Sequence, residues 1–410
     1  MKDARAHSWL IAITLVGMAL RLCWVLWIPV DPVSDSAAYL TFALDLAENG
    51  VFGWTPDEPI AYWPVGTSAI TAATFWLLGE NFTGVVGLNL AAGLAIILLT
   101  HRLGEIWFDQ TTALAAAACI AFWPNLIFFT SILSSELWFI ALSLAGLWAW
   151  TRPGGRPAVN LLLAGVIWGL ACYVRPVILL LPIALALTAV PHGFRAVGRE
   201  ALRATVAVVL IIAVVSPWTY RNTQLFGERV MISTNFEPNL WMGNNPETTG
   251  GYMPLPDFVD GFTETERAHT LGNLAKDYIR QDPAGFLWRS LVKAVKLHAR
   301  ETIGVAWNAR AIERATGPIG VEAAKAGATG YWLAVLALAL VGLLRRLREA
   351  PLKAIFHPTT AAWGYFTALH AIIVVEDRYH MPASPFIALL AATGLVALFR
   401  RRGGWEPART

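Results

Sequence analysis

Long apolar runs constrain this chain more than any other feature. They lie near 8–29, 83–101, 111–130, 134–150, 157–173, 175–190, 203–219, 329–346, 358–375 and 382–399. Wound as helices, most are long enough to cross the hydrocarbon core of a bilayer, and some sit at the lower limit. Inside lipid every backbone N–H and C=O must find a partner within the segment, which leaves the helix as the available form. Of the 410 residues, 56% are hydrophobic and only 14% charged. A soluble fold could not hide that much apolar surface, so lipid must solvate part of it. The expected fold is an all-α polytopic membrane protein with about ten transmembrane helices. The first run follows a basic start but exceeds a signal-peptide core, and no small-x-small site follows it. It reads as a retained span.

The charges set the orientation. Lys2 and Arg5, Arg102, Arg152 and Arg156, Arg195, Arg199 and Arg203, Arg345, Arg346, Arg348 and Lys353, and Arg400, Arg401 and Arg402 flank the runs. All fall on one side, the cytoplasmic one, only if the apolar run 66–79 does not cross. That run therefore reads as a surface or re-entrant helix. The other side receives a loop over 30–82 that carries Asp31, Asp35, Asp45, Glu48, Asp57 and Glu58, with no Lys or Arg as far as Pro64. It also receives the turns 131–136 and 376–380, a turn at Arg175, and the polar segment 219–328. Three parts follow: 1–218 as an N-terminal membrane core with its first outer loop, 219–328 as a periplasmic segment, and 329–410 as C-terminal spans with a basic tail.

Within 219–328 the turn signals Gly243-Asn244-Asn245-Pro246 precede a helix expected near 263–281 and another opening at Pro283. In the second helix Arg289, Lys293, Lys296 and Arg300 form one stripe, flanked by Phe286, Leu287, Leu291, Val292, Val295 and Leu297. Such a helix is expected to lie flat on the membrane, its basic side on anionic headgroups or on a substrate phosphate. Cys23, Cys119 and Cys172 all sit in apolar stretches, so they read as small buried hydrophobes rather than as a disulfide or metal set. Trp24, Trp27, Trp123, Trp150 and Trp218, near the ends of runs, suit an interfacial aromatic belt. The sequon Asn81-Phe82-Thr83 abuts a span and reads as chance.

Charged side chains beside apolar runs are costly and call for a reason. On the outer side they are Asp35, Glu136, Arg175, Arg221, Glu376, Asp377, Arg378 and His380. Asp35 begins a helix with Ser34 as its expected cap, and it shares a face with Tyr39 and Phe42. An ionised carboxylate there can accept a proton from an attacking hydroxyl. Glu136 begins a span, with Ser134 or Ser135 as its expected cap. Arg175, Arg221, Arg378 and His380 suit a phosphate. No HExxH, Walker A or GxSxG pattern is present. No spacing requires a metal or other cofactor, although Asp35 and Glu136 together can hold a divalent cation. Nothing points to nucleic acid. A secondary transporter or flippase of a lipid-linked sugar is the alternative, but it needs charges at mid-membrane and a repeat between halves. Arg21 is the main charge inside a run, and no repeat is visible.

Several stretches, in order, then resemble a known family: SDSAAYLTFALDLAENG and AYWPVGTSAI, SSELWF, GLACYVRPVILLLP, PWTYRNTQLFGERVMISTNFEPNLWMGNNPETTGGY, and DRYHMPASPFIALLAATG. Together they resemble membrane glycosyltransferases of the C-type fold, the bacterial relatives of protein O-mannosyltransferases and aminoarabinose transferases. The resemblance implies a multi-pass protein of the bacterial inner membrane whose active site faces the periplasm. It implies transfer of a sugar, with inversion, from a polyprenyl-phosphate donor to a glycan, lipid or protein acceptor. The family's first-loop acid falls on Asp35 and its second outer acid on Glu136. Its phosphate-binding basic residues fall on Arg378 and His380, to which topology adds Arg175 and Arg221. Tyr39, Tyr62 and Tyr379 are the expected substrate-pocket residues.

Overall fold

The computed structural model describes the backbone over residues 2–402 and side chains over 5–399. The side chains of Lys2, Arg400, Arg401 and Arg402, and the tail past 402, lie outside the described residues. In chain order, α1 (Lys2–Trp27) leads into two short helices, α2 (Asp35–Asn49) and α3 (Gly66–Leu78). Next come α4 (Thr83–Trp107), α5 (Gln110–Ala121), α6 (Pro124–Phe128), α7 (Glu136–Thr151), α8 (Pro157–Val174), α9 (Leu181–Ala186) and α10 (Phe194–Phe226). The polar segment folds into α11 (Phe236–Met242), α12 (Glu264–Gln281), α13 (Pro283–Leu297), α14 (Ile303–Trp307) and α15 (Ala309–Thr316). The chain closes with α16 (Pro318–Glu349), α17 (Pro351–Ile355), α18 (Pro358–Ile372) and α19 (Ser384–Arg402).

All the expected runs are helical, but not all are full-length spans. Among the described residues six helices are long and apolar enough to cross a membrane, or seven if α5 and α6, bent by 54°, count as one. The helices α7 and 176–192 are shorter and apolar, and α18 has 15 residues. The α5–α6 bend has a sequence cause. Pro124 opens α6 and disfavours helical backbone just before it. The carbonyls freed at Ile120 and Ala121 accept bonds from the Arg21 guanidinium at 3.1 and 2.8 Å. The charge inside α1 is thus a cap for a broken neighbour. The helix α3, with 13 residues, spans only about 20 Å at 1.5 Å per residue and stays short of a crossing.

Small residues set the tightest packing. A Cβ on Gly342 of α16 would lie 2.2 Å from the Leu390 carbonyl, and one on Gly394 of α19 would lie 2.3 Å from the Leu338 carbonyl. Only glycines let these two backbones approach so closely. The tryptophans divide: Trp27 is exposed at the end of α1, whereas Trp123 and Trp150 belong to the core rather than to an interfacial belt. Cys23, expected inside, is exposed on α1. Asn81 closes the turn before α4 by accepting from the Thr83 amide at 2.9 Å.

The polar segment has its own small core of Leu240, Trp241, Met242, Val259, Leu271 and Ala275, closed by Ile373 and Val374. A capping box between Thr263 and Glu266 starts α12. The basic stripe of α13 is split: Lys296 and Arg300 are exposed, whereas Lys293 turns inward. Lys293 is buried, and its ammonium donates to the carbonyls of Gly243, Ile372 and Ile373 at 3.0, 3.0 and 2.7 Å. Lys296 donates to Thr249 O, and Arg289 pairs with Asp282. The side turned outward is apolar: Leu287, Trp288, Leu291 and Val295. Free carbonyls at the end of α18 and after α11 outcompete headgroups for the lysine, because a buried acceptor without a donor is costly.

Candidate functional site

One end of the bundle gathers the C-terminal ends of α1, α8 and α18 and the starts of α2 and α7. The chain reaches α2 through Ser34, whose φ of 54° makes it the one non-glycine residue in the left-handed region among the described residues. Its hydroxyl makes no cap bond, contrary to expectation. A non-glycine residue held in that region is strained, and such strain is often concentrated at functional sites. Ser135 likewise makes no cap, and its hydroxyl lies 3.4 Å from a Glu136 oxygen.

From these starts a row of alternating charges is built. Asp35 Oδ2 lies 2.5 Å from Arg378 Nη2. Arg378 Nη1 lies 3.6 Å from Glu136 Oε1, which also accepts from Arg175 Nη2 at 3.0 Å. Four residues from four separate elements thus form one chain, acid to base to acid to base. Glu136 is fully buried within it, whereas the Asp35 side chain is 30% exposed. Asp35 Oδ1 has no partner among the described residues. The Arg378 guanidinium lies over Trp307 at 4.6 Å and Tyr379 at 5.3 Å, and Arg175 lies 5.6 Å from the same tyrosine ring. Tyr379 stacks in turn on His370 at 4.5 Å. Burial works against the charge of Arg378, but Asp35, Tyr379 and Glu136 outweigh it and hold its proton more firmly than usual.

The three expected tyrosines surround this row. Burial, then the Asp35 charge, pushes the Tyr39 phenol up. Burial pushes Tyr62 up to about 12 against the pull of Arg267, and the Asp35 and Tyr379 charges reinforce the rise. Tyr379 is raised mainly by burial. All three phenols therefore stay protonated and can donate.

Two expected members of the row are elsewhere. His380 is buried, with Nδ1 2.9 Å from Leu297 O and Nε2 3.0 Å from Glu301 Oε1, and its ring stacks on Trp332 at 4.1 Å. Both ring nitrogens are engaged away from Arg378. Arg221 donates to Ile60 O at 2.7 Å and Phe52 O at 3.3 Å, which fastens the first loop. Glu264 fastens the same loop by accepting from the Ala61 amide at 3.1 Å.

Other residues were not foreseen. Trp307 forms the floor under Arg378, and the amide and hydroxyl of Thr302 reach Asp377 Oδ2 at 2.8 and 2.6 Å. Glu301 binds His380 and accepts from Trp123 Nε1. These side chains support the turn 376–380 from behind. Glu301 and Thr302 follow the basic stripe in sequence, but no local pattern marks partners 75 or more residues away.

The possibility of a divalent cation between Asp35 and Glu136 fares poorly. Among the described residues no group of three or more His, Cys, Asp or Glu side chains could hold a metal. The Arg378 guanidinium already stands between the two carboxylates, and Arg175 balances the second. An added divalent ion would face two positive groups, so this donor set does not fit one.

Comparison with known proteins follows the same lines. The profile of a family described as dolichyl-phosphate-mannose-protein mannosyltransferase matches residues 62–220. No curated protein matches the chain in sequence. An oligosaccharyltransferase, AglB, from Archaeoglobus fulgidus, solved with an inhibitory peptide and a dolichol-phosphate, superposes with a TM-score of 0.58 at 13% identity. The match covers 100% of this chain and 53% of that one. An oligosaccharyltransferase of the same organism solved with Zn and sulfate gives 0.55 at 15% identity, over 96% and 49%. ArnT from Cupriavidus metallidurans, solved with undecaprenyl phosphate, gives 0.47 at 14% identity, over 95% and 78%. The chain thus spans about half the length of the archaeal enzyme. The resemblance read from the sequence holds: the molecule is a helical membrane protein with the C-type glycosyltransferase fold.

Proposed function

We propose that the protein transfers a sugar from a polyprenyl-phosphate donor to a hydroxyl or similar acceptor at the periplasmic face of a bacterial inner membrane. The observation that carries this reading is the row Asp35–Arg378–Glu136–Arg175, assembled from four distant stretches at one end of the bundle. The positive-inside pattern supports that end as the outer one. The dolichol-phosphate and peptide bound to the archaeal enzyme support a lipid-phosphate donor and a separate acceptor on this fold.

In this mechanism Asp35 is the base. Its free Oδ1 accepts the acceptor's proton as the oxygen attacks the anomeric carbon, and polyprenyl phosphate departs from the opposite face. A single displacement of this kind inverts the sugar. Arg378 and Arg175 stabilise the charge growing on the leaving phosphate, in a site where fixed charges act with little screening. Glu136, buried between them, orients the guanidinium groups. Tyr39, Tyr62 and Tyr379 line the sugar side as protonated donors.

The test is incubation of the purified protein with a panel of polyprenyl-phosphate sugars and envelope acceptors, read by mass spectrometry. Transfer that inverts the anomeric centre and vanishes in Asp35→Asn supports the reading. Sugar lipid carried across a vesicle membrane, with no product formed, would replace it with transport.

A further inference from the structure

We propose that the opposite end of the bundle carries a binding site for the headgroup of an anionic phospholipid. A cleft of about 600 Å³ opens there, lined by Arg102, Glu105, Ile106, Trp148, Arg152 and the turn Pro153–Gly155. It lies between the last turns of α4 and α7, at the far end from Asp35.

The cleft is shaped around one arginine. Arg152 Nε donates to Asn160 Oδ1 at 2.8 Å, and Asn160 Nδ2 returns a bond to the Arg152 carbonyl at 3.4 Å. The guanidinium carbon lies 5.0 Å from the centre of the Trp148 ring. The turn that follows hugs this pair: a Cβ on Gly155 would lie 2.4 Å from Asn160 Oδ1, and Gly154 has φ of 79°. The braced guanidinium keeps both Nη groups without a partner among the described residues. Arg102 enters from α4, and only its Nη1 is engaged, with Glu105 at 2.9 Å. Glu105 also lies 3.5 Å from His101 Nδ1, so Arg102 holds its carboxylate only in part.

The surroundings point to lipid rather than to a soluble anion. One turn before Arg102, Leu98 is exposed, and α8, the helix after the turn, exposes Val159, Leu162, Leu163 and Val166. Apolar helix surface thus runs up to the cleft from both sides, and two forked cations meet it there. A phosphodiester suits the fork, and basic pockets at the ends of membrane helices favour anionic headgroups. Acyl chains would lie along the exposed leucines and valines.

The experiment uses the full chain purified in mild detergent, with co-purified lipid extracted and weighed by mass spectrometry. The wild type is expected to retain phosphatidylglycerol over phosphatidylcholine, and its unfolding temperature should rise in vesicles that contain the anionic lipid. Each arginine removed should lower retention by about fivefold, so Arg102→Gln with Arg152→Gln should erase the preference. Arg102→Gln alone lies on a helix surface and serves if the double variant does not fold. Two exposed arginines at the same end, replaced as Arg345→Gln with Arg348→Gln, should keep the lipid. Equal loss in that control would reduce the effect to a diffuse basic rim and overturn the site. So would equal retention by Arg102→Gln, or an equal thermal shift from inorganic phosphate alone.

Discussion

The two ends of the bundle both carry arginine, yet they use it in opposite ways. At the Asp35 end Arg378 and Arg175 are largely buried, each within reach of a carboxylate, and Arg378 lies against aromatic rings. At the far end Arg102 and Arg345 are exposed and pair only with near neighbours on their own helices. Depth decides the difference. A buried guanidinium must be matched, because water is not there to solvate it, and its partners then hold it in place. An exposed one is solvated, reaches outward along its own stem and is screened by salt. The first arrangement suits chemistry on a defined atom. The second suits attraction to a surface.

The contrast can be broken at its strongest point first. Asp35→Asn should lower transfer by about 10²–10⁴-fold, measured as turnover of a labelled polyprenyl-phosphate sugar. A rate near wild type would leave the paired end without its base. Arg378→Ala should cost about 1–3 kcal/mol of stability, because, among the described residues, it takes the only cation from half-buried Asp35 and one of two from Glu136, which keeps Arg175, and it should weaken donor binding. Thermal unfolding with and without donor lipid checks both, and a variant as stable as wild type would mean the row is not a buried network.

Lys293 sharpens the comparison, for it is buried near the first end without any carboxylate. Lys293→Met should cost about 1–3 kcal/mol by leaving carbonyls of Gly243, Ile372 and Ile373 without their donor. Burial, helped by Arg289, pushes its ammonium down to about 8 from 10.5. The folded state thus sheds this proton before the unfolded chain does. Between those two pH values the unfolded chain binds more protons, so this residue makes stability rise with pH. The lysine's share is the difference between wild type and Lys293→Met, followed by thermal unfolding from pH 7.5 to 10. A constant difference across that window would contradict the buried ammonium. Smallest of all, Arg345→Gln breaks an exposed pair with Glu349 and should change stability by about 0.5 kcal/mol or less. A loss above 2 kcal/mol would show that the far end is as tightly matched as the near one.

Much of this was legible beforehand because membrane insertion acts on single segments. The apolar runs and the basic flanks can each be judged locally, and the long helices follow, whereas the reading of 66–79, a short apolar helix of 13 residues, needed the charge pattern of the whole chain. Asp35 and Glu136 were legible for the same reason: each is the acid at the start of a helix beside an apolar run. His380 and Arg221 satisfied the same local rule, yet they lie among different neighbours. Glu301 and the loop carbonyls claim them, and neither partner is near them in sequence.

What the sequence by itself determined is the class of fold, the approximate spans and which end holds the acids, since hydropathy and charge placement are properties of short stretches in contact with lipid or water. Only the tertiary structure decided which guanidinium meets which carboxylate, that Lys293 turns inward, and that Trp307 lies beneath Arg378. Those pairings arise when segments tens to hundreds of residues apart compete for the same few buried partners, and that competition is settled by packing rather than by any local pattern.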